Sequence, residues 1–484
     1  MASALRLRAR GYDVTLLERC DQLGGRARSF EREGVKHDAG PTVITAPFLF
    51  DELFALFDRN REDYVTFVPL DPWYRFHFHD GEYFDYGGPL EKTLDEITRV
   101  NPSDRDGYLK LLEHSREIFE VGFAKLADQP FHSFGTIASQ APNLLRLGSY
   151  RSVWSMVSRY IQDERLRRAF SISPLLVGGN PYTTTSIYTL IHYLEREWGV
   201  HFALGGTRSV VHALERLMEE VGIEIRKSTT VTGFEYAGES ITHVNHTGGE
   251  SLPCDCVVFN GDPVTLYRDL IPPEKQRSSA KLKQRVARLS MGLFVMYFGT
   301  RQTFPNLAHH TVWMGERFRG LLHDIFHNHK LSDDFSLYIH RPTATDPSLA
   351  PEGCDSFYVL SPVPNLLGDI DWQAETARYR DKILQTLDET IMPGVKDSAF
   401  GIFSMTPEHF QHDYLSAEGA AFSIAPYFSQ SAWFRFHNRA EGPRNLYLSG
   451  AGTHPGAGVP GVLSSAKLND RLIPDPIGIR KIPA

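Results

Sequence analysis

The pattern of apolar and polar positions at the start of the chain predicts half of a nucleotide-binding unit. Residues 2–10 have the period of a helix, and Gly11 follows at the position that commonly ends one. A short apolar strand comes next and closes at Glu18. A helix leading into such a strand is the second half of a βαβ unit.

Related elements recur in the middle and at the end of the chain. A helix over 210–220 is followed by Gly222 and a strand over 223–225. An apolar strand over 446–449 leads into the glycine-rich stretch 450–461. Because no internal repeat or long linker separates these elements, we expect interleaved domains.

The intervening stretches have a different pattern. Residues 73–86 predict a hairpin, with alternating aromatic side chains and a tight turn at Asp80-Gly81. Residues 102–170 are mostly helical in pattern, and 290–420 mixes strands with a helix. The pattern therefore predicts three nucleotide-type segments, separated by two long insertions of a different structural type.

Composition narrows the function classes. At 484 residues the chain is longer than one hydrophobic core supports. Its 51 Lys and Arg against 59 Asp and Glu give no basic field that would gather nucleic acid. No apolar run approaches the ~18 residues of a membrane span.

Four irregularly spaced cysteines predict no disulfide framework, which favours the reducing cytoplasm. The 12% aromatic content fits a large apolar cavity, although a Phe-rich core would have the same composition.

The first motif that carries chemistry follows the N-terminal strand. An acidic residue such as Glu18 at that position accepts hydrogen bonds from a nucleotide ribose. The pair Gly24-Gly25 lets the backbone approach a pyrophosphate, and Arg26 supplies planar donors. Each piece alone would favour an exposed Glu and a surface turn, because short motifs are weak signals. Their order, with Asp-Ala-Gly-Pro-Thr at 38–42 shortly after, strengthens the interpretation.

The second motif is the stretch 450–461. It contains five glycines after a buried strand and before a helix start. Backbone N–H groups in such a loop can face an anion or a ring oxygen. His454 within it is more often a satisfied loop histidine than a catalyst.

These motifs together resemble the bacterial phytoene desaturases, which are carotenoid-pathway flavoproteins of the amine-oxidase-like FAD superfamily. The resemblance rests on E-x(5)-GGR from Glu18, DAGPT at 38–42, GGT at 205–207 and GAGTHPGAGVPG at 450–461. Segments 175–181, 195–200, 308–311 and 430–435 resemble that subgroup in particular, and the likeness runs from residue 2 to about residue 467. It implies FAD as cofactor, phytoene or a related C40 polyene as substrate, neurosporene or lycopene as products, and a quinone or oxygen as electron acceptor.

The same resemblance implies a set of cofactor-binding residues by position. The resemblance places Glu18 at the ribose, Val231 at the adenine, and Gly24, Gly25 and Arg26 along the pyrophosphate. On the flavin side it places Asp38, Gly40, Pro41, Gly450, Gly452, Thr453, Gly458 and Val459. Many superfamily members have an acidic residue in the last loop. Since Gly450-Ala451-Gly452 has none, backbone contacts must serve there.

The resemblance also implies the fold class and the domains. We expect an α/β chain in which a Rossmann-type FAD-binding domain is interleaved with an α+β substrate and membrane-facing domain. The FAD-binding domain would comprise 1–68, 202–285 and 420–484, and the substrate domain 69–201 and 286–419. Strand 446–449 would lie in the same sheet as 13–17.

One part of the Rossmann unit is missing from this pattern. The G-x-G-x-x-G loop lies ~20 residues before the acidic residue, so counting back from Glu18 puts it ahead of residue 1. A start codon assigned too late and a shortened protein both explain this, and the intact remaining motifs favour the first. We expect a groove where the first strand would lie and weak FAD binding, which an upstream strand and glycine loop would restore.

The sequence identifies neither a catalytic set nor a metal site. A C40 hydrocarbon has no polar handle, and the flavin performs the hydride step, so only a proton acceptor is required. His323, His327 and His329 have no carboxylate partner pattern and are interpreted as surface histidines. Another carotenoid desaturase, an isomerase, an amine oxidase and a non-catalytic polyene-binding protein remain alternatives.

Residues 141–170 suggest contact with a lipid surface. They contain six arginines but only Asp163 and Glu164 as acids. Val153, Val157, Tyr160 and Ile161 recur at helical spacing, and Tyr150 and Trp154 are typical of membrane interfaces. A helix packed on the core with a basic outer face is an equal alternative. We expect peripheral binding to anionic lipid through this segment.

Overall fold

A computed structural model of the chain describes residues 1–122, 142–143 and 145–476. Its strands are β1 (Thr15–Leu17), β2 (Ser29–Arg32), β3 (Val35–Asp38), β4 (Phe67–Pro69), β5 (Tyr74–Phe78), β6 (Tyr83–Tyr86), β7 (His201–Ala203), β8 (Glu224–Arg226), β9 (Val231–Ala237), β10 (Ser240–His246), β11 (Leu252–Pro253), β12 (Val257–Phe259), β13 (Gly292–Thr300), β14 (His310–Met314), β15 (Leu337–His340), β16 (Asp355–Val363), β17 (Ala399–Met405) and β18 (Leu446–Leu448).

The α-helices of five residues or more are α1 (Ala2–Ala9), α2 (Phe48–Ala55), α3 (Leu90–Val100), α4 (Arg105–Gly122), α5 (Val153–Val157), α6 (Glu164–Phe170), α7 (Leu190–Trp198), α8 (Thr207–Glu220), α9 (Ser278–Val286), α10 (Phe318–His323), α11 (Trp372–Glu389), α12 (Pro407–Tyr414) and α13 (Val459–Leu472). The mixture of helices and sheets confirms the predicted α/β class.

The largest sheet has seven strands in the order β17-β13-β16-β15-β14-β5-β6. Every residue of β13 is buried, because the strand has neighbours on both sides and is covered on both faces. The hairpin β5–β6 joins the sheet through a parallel pairing of β5 with β14. Two long separated stretches of sequence thus build one sheet.

The predicted hairpin and N-terminal helix are confirmed. Strands β5 and β6 pair with Tyr74 opposite Tyr86, and Gly81 turns the chain at a φ of 85°. Helix α1 ends before Gly11, whose φ of 94° is open to glycine at no steric cost. The local sequence pattern was therefore sufficient to predict both elements.

The parallel nucleotide-type strands form two separate pairs. Strand β1 pairs with β8, and β12 pairs with β18. The expectation that 446–449 lies in one sheet with 13–17 is therefore wrong among the described residues. Strands β1 and β12 do not hydrogen-bond to each other. Residues of both strands line one cavity, which lies between the two strand pairs.

The segment expected to meet lipid packs differently from its pattern. Helix α5 has only five residues, and Val153, Val157 and Ile161 are buried in the core. Trp154 packs against Tyr182 with ring centroids 4.8 Å apart and the ring planes tilted by 39°. The apolar stripe is thus a core contact and not a lipid-facing one. Among the described helices, none combines the length and the apolarity needed to cross a bilayer.

Candidate functional site

One large cavity connects the predicted cofactor segments. Its volume is about 1350 Å³, and it extends from β1 and β12 to the seven-stranded sheet. The predicted site residues that line it are Glu18, Gly24, Gly25, Arg26, Gly40, Pro41, Val231, Gly450, Gly458 and Val459. The structure therefore brings together residues that are more than four hundred positions apart in the sequence.

The region after β1 presents both backbone and charge to the cavity. Glu18 follows the strand, and its Oε1 accepts a hydrogen bond from the Cys20 N–H at 2.8 Å. Gly25 has a φ of 55°, and a Cβ there would point into open space. The Arg26 guanidinium donates to Ser416 Oγ at 2.6 Å, while its buried Nε has no hydrogen-bond partner among the described residues.

Three tyrosines of the large sheet hold the loop after β3. The Tyr297 hydroxyl donates to the Ala39 carbonyl at 3.0 Å, and the Tyr358 hydroxyl donates to the Gly40 carbonyl at 3.1 Å. Tyr338 OH and Thr42 Oγ1 lie 2.9 Å apart. These bonds fix the wall of the cavity that Ala39, Gly40, Pro41 and Thr42 form.

Gly40 has no room for a side chain. A Cβ at this position would lie 2.2 Å from the Arg26 carbonyl oxygen, so the two cofactor segments approach each other as closely as backbone allows. The predicted close approach of these segments therefore has a direct steric cause.

The glycine-rich loop is held from behind by a buried arginine. The Arg435 guanidinium donates to the carbonyl oxygens of Thr453, Gln430, Ile424 and Ala451 at 2.6–3.3 Å. The loop then leads into α13, whose first residues face the cavity and direct the helix N-terminus toward it. The positive end of that helix favours a polar, electron-rich ligand atom.

Gly452 and Thr453 lie inside this loop and not on the cavity wall. A Cβ on Gly452 would meet the Pro263 ring at 2.3 Å, and the Thr453 hydroxyl lies 3.3 Å from Asn438 Nδ2. Both residues are buried and shape the loop. Their predicted contact with the flavin stays a prediction.

Asp38 also lies behind the cavity wall. Its Oδ1 accepts the Thr207 N–H at 2.7 Å, which satisfies a free donor at the start of α8. A Cβ on Gly206 would collide with this carboxylate at 2.6 Å, so the GGT motif keeps α8 close to Asp38. Asp38 therefore positions the loop 39–42 and does not line the cavity itself.

Sequence reasoning missed one ionisable group in the cavity. Glu195 on α7 is buried and lines the cavity, and its Oε1 accepts a hydrogen bond from Tyr74 OH at 2.9 Å. Burial raises the pKa of Glu195 to about 7, while the bond from Tyr74 and the charge of Arg196 act in the opposite direction. A glutamate among apolar residues at helical spacing was the available signal, but its orientation depends on β5.

Comparisons with known proteins agree with this geometry. The family model described as flavin containing amine oxidoreductase matches residues 1–469. The chain belongs to this family. The phytoene desaturase (lycopene-forming) of Pantoea ananas is 45% identical over 98% of this chain and 96% of that protein. The neurosporene-forming phytoene desaturase of Cereibacter sphaeroides is 41% identical over 98% and 92%.

Solved structures share the fold. An oxidoreductase from Methanosarcina mazei has a TM-score of 0.65 at 16% identity and covers 96% of each chain. A putrescine oxidase bound to putrescine has a TM-score of 0.62 at 13% identity over 97% of this chain and 94% of that one. At such identities the likeness concerns the fold alone.

As a member of this flavoprotein family, the protein is an FAD-dependent oxidoreductase, and the residues present fit the cofactor. Arg26, Gly25 with the open space beside it, and Val459 at the helix start all line the same cavity. They suit pyrophosphate oxygens and a flavin ring, which need N–H donors and close backbone contact.

Gly40→Ala is expected to weaken FAD binding. The added Cβ must push the Arg26 carbonyl away, and overpacking of this kind costs about 1–3 kcal/mol, or roughly 5- to 150-fold in Kd. Titration of the flavin-free protein with FAD, followed by flavin fluorescence, measures the change. Gly233→Ala is the matched control, since a Cβ at Gly233 meets nothing within 4 Å. Equal affinity of the two variants would contradict the steric argument.

Proposed function

We propose that this protein desaturates phytoene or a closely related C40 polyene in an FAD-dependent reaction toward neurosporene or lycopene. The observation that carries the proposal is the continuity of the cavity. The same space that the cofactor segments line extends between apolar side chains of the sheet and of α4 and α7. An oxidoreductase with this cavity suits a long hydrocarbon.

The apolar part of the cavity provides the affinity that a hydrocarbon needs. Its wall in the sheet contains the aliphatic residues Leu293, Val295, Val312, Leu337 and Leu360, beside Tyr74, Tyr338 and Tyr358. Burial of apolar surface contributes about 25 cal/mol per Å², which is the main attraction available to a ligand without polar groups. A small polar amine would not bury this apolar wall. The names of the related phytoene desaturases support the same conclusion.

The cavity-lining residues divide between cofactor and substrate in this proposal. Glu18, Gly24, Gly25, Arg26 and Val231 would hold the dinucleotide part of FAD. The 39–42 loop and the 450–461 loop would enclose the flavin ring. Segments 1–68, 202–285 and 420–484 would then form the FAD-binding domain, and the sheet built from 69–201 and 286–419 the substrate domain.

FAD, when bound, accepts the hydride that leaves an allylic carbon of the polyene. The protein has to exclude water, orient the chain and receive the proton from the neighbouring carbon. We assign the proton acceptor to Glu195 Oε2, which has no hydrogen-bond partner in the described part of the chain. Tyr74 orients this carboxylate through Oε1. A carboxyl with a pKa near 7 is well matched to this transfer.

We also propose that the protein meets an anionic lipid surface next to α4. The cavity wall includes Ile118, Val121 and Leu147. Close to Leu147 in the chain, Leu145 and Tyr150 are 65% and 59% exposed, which is unusual for large apolar side chains. An opening at this end would let a polyene pass from lipid to the cavity without crossing water.

The proposed activity is tested with purified protein, excess FAD, a quinone or oxygen, and phytoene dispersed in liposomes. Chromatography with absorbance detection should show products with longer conjugated systems than phytoene. A flavin-containing protein that oxidises amines and leaves phytoene unchanged would replace the proposal with an amine oxidase. Protein without flavin absorbance after reconstitution would favour a polyene-binding protein.

Glu195→Gln is expected to lower the desaturation rate by about 10²–10⁴-fold, because the proton acceptor is lost while the shape of the side chain is kept. The wild-type rate should rise with pH through about 7, where the Glu195 carboxylate forms, and the variant should lose that step. Rates from pH 5 to pH 9 measure both effects. Glu197→Gln, an exposed acid on the same helix, is the matched control.

Thermal unfolding separates a catalytic effect of this substitution from misfolding. The folded-state pKa of Glu195 lies above the ordinary value of 4.5, so the carboxyl costs the folded protein stability as pH rises from about 4.5 to about 7. The glutamine has no such cost. Glu195→Gln should therefore be more stable than wild type above pH 7, by up to about 3 kcal/mol. A variant that is inactive and also less stable at pH 8 would argue against the assignment.

Leu145→Glu combined with Tyr150→Glu is expected to reduce binding to anionic liposomes. The substitutions remove exposed apolar surface and add charge of the same sign as the lipid. Flotation with the liposomes measures the bound fraction. Leu282→Glu with Val286→Glu, equally exposed residues on α9 outside the cavity wall, is the control. Binding that is unchanged in the first variant would rule out this surface.

A further inference from the structure

Three buried histidines meet behind the tyrosine layer of the cavity. His309, His310 and His340 are at most 5% exposed, and each offers a ring nitrogen within 4.8 Å of the others. His310 and His340 are directly opposite each other on β14 and β15, so the sheet holds their side chains on one face. The cluster belongs to the seven-stranded sheet and is separate from the cavity wall.

Two of these rings are oriented by hydrogen bonds with neighbouring hydroxyl groups. His309 Nδ1 lies 2.7 Å from Thr345 Oγ1, and His310 Nδ1 lies 2.6 Å from Tyr338 OH. The opposite nitrogens, Nε2 of both rings, are buried and have no hydrogen-bond partner among the described residues, and the same holds for both nitrogens of His340. Metal-binding histidines usually have this arrangement, with one nitrogen fixed by a second group and the other free to coordinate.

A buried carboxylate lies beside the three rings. Asp38 is 5% exposed, and its Oδ2 has no hydrogen-bond partner among the described residues and lies 3.5 Å from His340 Nε2. Its Oδ1 accepts the Thr207 N–H at the start of α8, so Oδ2 is the oxygen left for a cation. Buried polar atoms usually have partners, and an ion between this oxygen and the ring nitrogens would supply one.

We propose that His309, His310 and His340 bind one divalent transition-metal ion, with Asp38 as the neighbouring anion that compensates its charge. Neutral imidazoles suit Zn²⁺, Fe²⁺, Cu²⁺ or Ni²⁺, and three of them leave one position for Asp38 or water. A tetrahedral Zn²⁺ with bonds of about 2.0–2.1 Å separates its ligand atoms by roughly 3.3 Å, so small ring rotations would close the site.

The ion would have a structural role. It would join β14 to β15 and draw Asp38 toward the sheet, and Asp38 in turn holds the start of α8. Since the ion would lie outside the cavity wall, the desaturation chemistry does not depend on it. The proposed metal site therefore does not depend on which substrate the protein uses.

The test measures metal in the full chain purified without a metal-affinity step and dialysed against a weak chelator. About one ion per chain is expected in the wild type and less than about a tenth of that in His310→Gln and His340→Gln. His323→Gln with His327→Gln is the control, because these two rings lie 5.0 Å apart on exposed positions outside the buried cluster. Loss of the ion in this control would assign it to the surface and overturn the proposal.

Co²⁺ gives a second readout that does not require the variants to fold. Wild-type protein stripped of metal and reloaded with Co²⁺ should show the visible absorption of a tetrahedral nitrogen-ligated ion, with its thermal midpoint raised. A folded wild type that has no stoichiometric ion and takes up neither Zn²⁺ nor Co²⁺ would overturn the proposal. The histidines would then be a neutral hydrogen-bonding cluster.

Discussion

The hydrogen bonds from three sheet tyrosines to the loop 39–42 determine how the two halves of this protein fit together. Tyr297, Tyr338 and Tyr358 come from three different strands, so the loop is fixed at three points against a rigid sheet. Burial raises the pKa of Tyr297 and Tyr338 well above the ordinary value, which keeps the hydroxyls protonated over the whole physiological range. The wall between cofactor segments and sheet is therefore insensitive to pH.

The sequence allowed prediction of those parts of the site that depend on local chemistry. Glu18 and the glycines at 24–25 lie on the cavity because a strand end and a tight turn have recognisable residues. Asp38 and Thr453 were also predicted on the flavin side, but neither lines the cavity, because each side chain is oriented by a partner outside its own segment, α8 for Asp38 and Asn438 for Thr453. Partners at such distances leave no periodic signal.

The same limit applies to the groups with unusual electrostatics. The sequence did not indicate that Glu195, His310 and His340 have unusual electrostatics, because only the packing of separate strands removes them from water. The apolar stripe over Val153, Val157 and Ile161 shows the reverse case, in which the pattern was real but the partner was the core and not lipid. Amphipathic spacing identifies a buried face and does not identify what buries it.

The parallel pairing of β5 with β14 has a consequence for the order of folding. Arg75 is opposite Thr311, so the aromatic hairpin leaves the ribosome more than two hundred residues before its partner strand exists. Until then its apolar face has no neighbour in the sheet, and such surfaces aggregate readily. The glycine-rich loop at 450–461 is synthesised later still. Cofactor capture must therefore follow completion of nearly the whole chain, and the supply of chaperones during synthesis would limit the yield of active enzyme.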